Sequence, residues 1–145
     1  MDQEFSKDKV APEVWAKAEG AFNSFMEWVN RNNFELVTME VPCISEALQY
    51  GTTVDIVARV NGNLALVEVK TSNSVHEDYV MQLAAQKYAW DETHDEKIAE
   101  FHLLRLGKEE ANFVHHFWLN LDKAMEAFKH LRALHDLKKE LKKLI

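Results

Sequence analysis

Two acidic residues and a lysine flank a predicted β-hairpin turn at Asn61-Gly62. Asp55 lies in the strand before the turn, and Glu68 and Lys70 lie in the strand after it. An Asn-Gly pair between two apolar runs is a strong signal for a two-residue turn. With that turn Asp55 lies opposite Glu68, and if the turn slides by one residue Asp55 lies opposite Lys70. Both registers place the three side chains on one face of the sheet, whereas a three-residue loop would not.

Such a cluster is suited to holding a divalent cation. Opposed carboxylates repel each other across a sheet, so two of them are seldom kept together without a positive charge. Carboxylate oxygens are typical ligands of Mg²⁺ and Mn²⁺. The ammonium of Lys70 would orient an attacking water and offset charge on a phosphate. The alternative is an exposed strand face on which Glu68 and Lys70 form a surface ion pair of little energetic value. The apolar residues in both strands favour a covered face.

The periodicity of apolar residues predicts the elements that hold this hairpin. Apolar residues at three- and four-residue spacing indicate helices, and alternating or β-branched runs indicate strands. Pro42 is expected to end the first strand, and the last two strands are expected to be joined across Gly107-Lys108. In chain order the predicted elements are a helix from Pro12 to about Asn32-Asn33, strands over 34–42, 52–60 and 64–70, a helix over about 76–92, strands over 98–106 and 112–118, and a long amphipathic helix over 119–145.

Length and composition narrow the classes of protein. With 145 residues and ordinary apolar content, the chain fits one domain over 1–145, in which 1–11 are expected to be flexible. No apolar run approaches the length of a membrane span, and the charged start differs from a signal peptide. A cytoplasmic location, or the host cytoplasm for a viral protein, is therefore expected. The single cysteine, Cys43, excludes an internal disulfide and a four-cysteine iron–sulfur site.

The charge of the chain is unevenly distributed. The net charge of -7 argues against a purely basic nucleic-acid binder. Residues 121–145 carry seven basic and four acidic side chains, a net +3, so the remaining residues carry -10. An acidic body can still act on a polyanion through a bound metal ion, because the ion reverses the local charge.

Three motifs follow one another along the chain: Gly51-Thr52-Thr53-Val54-Asp55, Glu68-Val69-Lys70-Thr71-Ser72 and Gln82-Leu83-Ala84-Ala85. Together they resemble the PD-(D/E)XK nuclease superfamily, and within it the RecB-like, phage-type branch, over about residues 34–106. The resemblance implies an α/β fold with a restriction-endonuclease-like core. In such a core helices flank a central mixed β-sheet of about five strands, here with a long C-terminal helix. It also implies an Mg²⁺- or Mn²⁺-dependent deoxyribonuclease, exo- or endonucleolytic, of a phage-type process or of DNA recombination, repair or processing.

The resemblance assigns roles to individual residues. Asp55 and Glu68 would bind the metal, with the backbone carbonyl of Val69 as a third ligand. Lys70 would be the catalytic lysine, and Gln82 would support the active site or contact DNA. The number of metal ions, one or two, stays open.

The family also places an acidic or histidine ligand on the first helix. Glu19 and Glu27 are the candidates here, and both equally fit exposed helix positions. Glu40 on the first strand is a further acidic candidate, which more simply fits an exposed strand residue.

The sequence departs from the family pattern after Gln82. The tyrosine expected four residues later is replaced by Gln86, and Tyr88 falls about 200° around the helix from that position. The DNA-contact candidates are Thr71, Ser72, Gln86, Tyr88, Lys138 and Lys139. The histidines add no clear site, because His115 and His116 face opposite sides of a strand and His102 has no spaced partner.

Two functions from different classes remain after this comparison. The first is the nuclease, and the second is a non-catalytic DNA- or partner-binding module that keeps the nuclease fold. The basic C-terminal helix allows three interpretations: a solvated face of a packed helix, a contact for the DNA backbone, or a seam for a homo-oligomer or a partner protein. DNA is the expected partner, single- or double-stranded, and no membrane is expected.

Overall fold

The computed structural model describes residues 11–107 and 112–145. In these two ranges the chain forms α1 (Pro12–Arg31), β1 (Glu35–Ser45), β2 (Tyr50–Val60), β3 (Asn63–Thr71), α2 (Glu77–Thr93), β4 (Glu100–Leu106), β5 (Phe113–Trp118) and α3 (Asp122–Lys142). The predicted element order is confirmed. Residues 1–10, which together with Ala11 were expected to be flexible, lie outside the described ranges. Lys108 of the second predicted turn also lies outside them. No helix within them combines the length and hydropathy needed to cross a bilayer.

The five strands form one mixed sheet in the order β1-β2-β3-β4-β5. Strands β3 and β4 are parallel, and the other neighbouring pairs are antiparallel. The parallel pair needs a crossover, which α2 supplies. The α/β class, the mixed sheet flanked by helices and the long C-terminal helix are therefore confirmed, as is the antiparallel pairing of β4 with β5.

The β2–β3 hairpin adopts the first of the two expected registers. Val60 pairs with Asn63, and the pairing continues to Ile56 and Val67. Asn61 and Gly62 have φ angles of 50° and 86°. Positive φ at both central residues is typical of a type I′ turn, whose twist matches that of the strands. Asp55 and Glu68 are therefore the next residues beyond the last close pair.

The prediction that the first strand ends at Pro42 is wrong. Strand β1 continues to Ser45, and Pro42 pairs with Thr53. Proline lacks a backbone N–H, so within a sheet it is tolerated on an edge strand. Because β1 lies at the edge of this sheet, Pro42 interrupts no ladder on its outer side.

The two faces of the sheet bury different helices. On one face, Leu64 and Leu66 of β3 pack in a core with Leu83 of α2. On the other face, Ala65 and Val67 pack in a second core with Trp28 of α1. Glu68 and Lys70 alternate in phase with Leu64 and Leu66, so they emerge on the α2 face of the sheet.

Candidate active site

The buried Glu68 and the half-buried Asp55 form an acidic pair where the β2–β3 pairing ends. Glu68 is 3% exposed, and its carboxyl lies within hydrogen-bonding reach of Asp55. Burial, and then the hydrogen bond with Asp55, raise the pKa of Glu68 to about 7, against the smaller opposing effect of Lys70. Such a hydrogen bond needs a shared proton, because two ionised carboxylates have no donor between them. Near neutral pH Glu68 is therefore divided between a neutral form, whose proton can bond to Asp55, and an ionised form that leaves excess negative charge in the site.

The two oxygens of Glu68 have different surroundings. Oε1 lies 3.0 Å from Nζ of Lys70. Oε2 is buried and, when Glu68 is ionised, has no hydrogen-bond donor among the residues that the structure describes. A buried carboxylate oxygen without a donor is unfavourable, and a bound cation would satisfy it.

Lys70 is held by residues from two elements. Its ammonium donates a hydrogen bond to Oε1 of Gln82 at 3.3 Å, in addition to its ion pair with Glu68. The same ammonium lies 4.6 Å from the centroid of the Tyr79 ring. Tyr79 and Gln82 are three residues apart in the first turns of α2, which places them on one face of that helix. The arrangement fixes the position of the positive charge beside the acidic pair.

Tyr79 is a site residue that the sequence analysis missed. The family pattern directs attention to a tyrosine after Gln82, where this chain has Gln86. The available signal was the three-residue spacing of Tyr79 from Gln82, which predicts a shared helix face.

Gln86 and Tyr88 do not lie in the site. Gln86 is 1% exposed, so its side chain is not available for the DNA contact that the sequence analysis expected. The ring of Tyr88 lies near Lys129 of α3, 5.4 Å from its ammonium. Gln86 follows Gln82 on the same helix face, one turn farther along α2, where it is buried. Tyr88 lies on a different face of the helix, beside α3.

The segment after β3 is fixed by a buried arginine. Arg105 of β4 is 9% exposed and pairs with Lys70 in the strand register. Its Nη1 donates to the carbonyl oxygens of Ser72 and Asn73, each at 3.1 Å. The hydroxyl of Ser72 already donates to Ser74, whereas Thr71 is exposed. Arg105 thus shapes the loop beside Lys70, and no motif in the sequence indicated this.

The first-helix ligand is not assembled in this structure. Helix α1 packs against the Ala65 and Val67 face, opposite the face that carries Glu68. Glu19 is exposed, and Glu27 forms an ion pair with Arg31 of its own helix. In residues 11–107 and 112–145 there is no group of three His, Cys, Asp or Glu side chains placed to hold a metal. Glu40 is likewise exposed, on the edge strand.

The remaining donors nevertheless suit a hard cation. Mg²⁺ binds proteins through one or two carboxylates and keeps several waters, so it does not require a third acidic side chain. The unsatisfied Oε2 of Glu68 and the adjacent Asp55 carboxyl provide such a donor set. Among the predicted site residues, the structure thus brings together Asp55, Glu68, Lys70 and Gln82, and it leaves Lys138 and Lys139 exposed on α3.

The opposite face of the sheet contains a second polar cluster. His102, 4% exposed, lies 3.0 Å from Oε1 of Glu100 through Nε2 and 2.8 Å from Nε2 of His115 through Nδ1. The Trp28 ring packs edge-on against both imidazoles. Burial, and then His102, lower the pKa of His115. The expectation that His102 lacks a partner is wrong, because the pairing of β4 with β5 joins residues 13 positions apart.

Comparison with known proteins gives a match in fold. No family model matches the chain, and no curated protein matches it. A candidate exonuclease from Eubacterium rectale superposes with a TM-score of 0.57 at 13% identity, over 92% of this chain and 55% of its own. The protein SSO0001 superposes with a TM-score of 0.43 at 17% identity, over 83% of this chain and 62% of its own. This chain therefore spans little more than half the length of the candidate exonuclease, and it shares the fold of that protein.

Proposed function

We propose that this chain is a divalent-metal-dependent deoxyribonuclease that hydrolyses phosphodiester bonds at the site of Asp55, Glu68 and Lys70. The observation that carries the proposal is the buried Oε2 of Glu68, which has no donor among the described residues and lies beside a second carboxylate. A bound cation would stabilise this acidic pair, and a bound anion would stabilise the ammonium of the lysine beside it. A metal-bound phosphodiester meets both requirements.

Asp55 and Glu68 would hold the ion, with the backbone carbonyl of Val69 as a further ligand. When bound, Mg²⁺ or Mn²⁺ would polarise the phosphodiester and lower the pKa of a nearby water. Lys70 would orient that water for in-line attack and stabilise charge that develops on the phosphate. Gln82 and Tyr79 would keep the ammonium in place while substrate enters.

The shared fold with a candidate exonuclease supports nuclease chemistry in general. The resemblance of the motifs to the RecB-like, phage-type branch supports a role in phage-type DNA processing or in recombination and repair. Cleavage of linear but not circular DNA would assign an exonuclease, and cleavage of both would assign an endonuclease.

The test is a cleavage assay on linear, nicked, circular and single-stranded DNA with Mg²⁺, Mn²⁺ or EDTA. We expect cleavage only with metal, and a loss of about 100-fold or more in Asp55→Asn and Lys70→Met, the range of a lost acid–base or electrostatic contribution. Asp95→Asn and Lys123→Ala are matched controls, because both native side chains are exposed and remote from the site. Full cleavage by Asp55→Asn and Lys70→Met would contradict the proposal. Metal-independent DNA binding without cleavage by the unmodified protein would favour the non-catalytic module.

A further inference from the structure

A cleft of about 680 Å³ adjoins the candidate active site. It lies between the β1–β2 turn, α2 and α3, and Gln82 lines it while also accepting a hydrogen bond from Lys70. Thr52, three positions before Asp55, lines the same cleft. A substrate strand bound at the acidic pair and extending past Gln82 would therefore enter this cleft.

Two aromatic rings that pack against each other line the cleft. Tyr50 and Phe128 pack edge to face with their centroids 4.7 Å apart. The hydroxyl of Tyr50 donates to the carbonyl of Ala85 at 2.6 Å, so this ring is anchored to α2. Rigid aromatic rings in a cleft provide platforms on which nucleic-acid bases stack.

The α3 wall of the cleft is basic. Arg132 and His135 line it, and helical periodicity places Lys139 one turn beyond His135 on the same side. Arg132 is already tied to the carbonyl of Gln49 at 2.7 Å and to Asp136, so it is a structural member of this wall. Among the residues that line the cleft, Asp78 is the one with an acidic side chain, and it belongs to α2. Lys139 lies 3.9 Å from the same Asp136 carboxylate, but both side chains are exposed, so this ion pair is weak and can be exchanged for a phosphate. His135 and Lys139 are therefore the side chains of this wall that would meet a phosphate backbone.

We propose that this cleft binds the unpaired nucleotides of a single-stranded DNA segment next to the scissile phosphate. The inference rests on the proposed function for the position of that phosphate. Clefts of ~300–1,000 Å³ hold ligands of nucleotide size, whereas a base-paired duplex is much wider than this space. Aromatic platforms together with a basic wall are the combination by which proteins bind single strands without sequence preference.

Binding can be separated from cleavage by the Asp55→Asn/Glu68→Gln double variant, which lacks both acidic side chains of the site. Fluorescence anisotropy would follow a labelled oligothymidylate of about twelve nucleotides, and a duplex of equal length, with EDTA present. We expect the single strand to bind about tenfold more tightly than the duplex. His135→Glu and Lys139→Glu should each weaken binding about three- to tenfold and reduce its salt dependence.

His130→Glu and Lys123→Glu are the matched controls, because they make the same charge changes on the opposite side of α3, and we expect effects below about twofold. Duplex preference, or equal losses in the controls, would overturn the inference. Cleavage by the unmodified protein together with unchanged binding in His135→Glu would overturn the inference and leave the proposed function standing. Cleft-dependent binding without any cleavage would support the inference and remove the proposed function.

Discussion

The ring of Tyr79 lies 4.6 Å from the ammonium of Lys70, on α2 rather than on the strand that carries the lysine. Gln82, one helical turn later, accepts a hydrogen bond from the same ammonium. The charge of Lys70 is thus positioned by one face of α2, which couples the packing of that helix to the chemistry of the hairpin.

Tyr79→Leu is expected to reduce the cleavage rate about three- to tenfold, because the ring attraction for an ammonium is worth roughly 0.5–2 kcal/mol. Tyr79→Phe keeps the ring face and should stay within about twofold of the unmodified protein. The measurements are kcat, KM and Tm for each variant. If Tyr79→Phe loses as much as Tyr79→Leu, then the hydroxyl rather than the ring acts on the site.

Glu68 should make the stability of the metal-free protein depend on pH. Its pKa is raised from 4.5 to about 7 in the folded state, so its contribution to stability is fully present below about pH 4.5 and is lost as the pH rises through 7. Glu68→Gln should remove this dependence and unfold a few degrees higher than the unmodified protein at about pH 8, a gain on the order of 1 kcal/mol. Thermal unfolding in EDTA at several pH values measures this effect. An equal pH dependence in both proteins would contradict it, and Asp95→Asn serves as the surface control.

Metal binding should compete with the proton on the acidic pair. Because a ligating carboxylate must be ionised, the apparent affinity for Mn²⁺ should fall about tenfold per pH unit below about pH 7 and level off above it. Mn²⁺ should raise Tm by mass action at pH 8 and much less at about pH 5.5, and chelation should reverse the shift. Asp55→Asn should abolish it. A shift of the same size at both pH values would place the metal elsewhere.

The turn that sets the register can be tested at Gly62. Its φ of 86° is strained for any residue with a Cβ atom, although no atom lies within 4 Å of a Cβ added there. Gly62→Ala should therefore lower the free energy of unfolding by about 1–2 kcal/mol through backbone strain alone. Gly51→Ala is the matched control, since its nearest contact is an ordinary 3.9 Å and its φ is not positive. Equal stability of Gly62→Ala and the unmodified protein, by denaturant unfolding, would argue against the type I′ turn.

Local sequence signals predicted the hairpin well. Asn61-Gly62 fixes the turn because positive φ at both positions is inexpensive only for such residues, and a period of two then places Glu68 and Lys70 on one face. The first helix and the long C-terminal helix likewise follow from apolar spacing. The end of β1 was missed because Pro42 breaks a strand only where both sides are paired, and its edge position is a property of the whole sheet.

The sequence by itself determined which residues could form the site, because the alternation along two strands and the turn between them are local properties. Only the tertiary structure decided the burial of these residues, their contacts and the pKa of Glu68. In the folded chain Glu68 and Gln86 are buried, and α2 brings Tyr79 to Lys70. The pairing of β4 with its neighbours brings Arg105 to the loop after β3 and His102 to His115. These contacts join residues distant in sequence, and burial, which sets the pKa of Glu68, depends on everything packed around it.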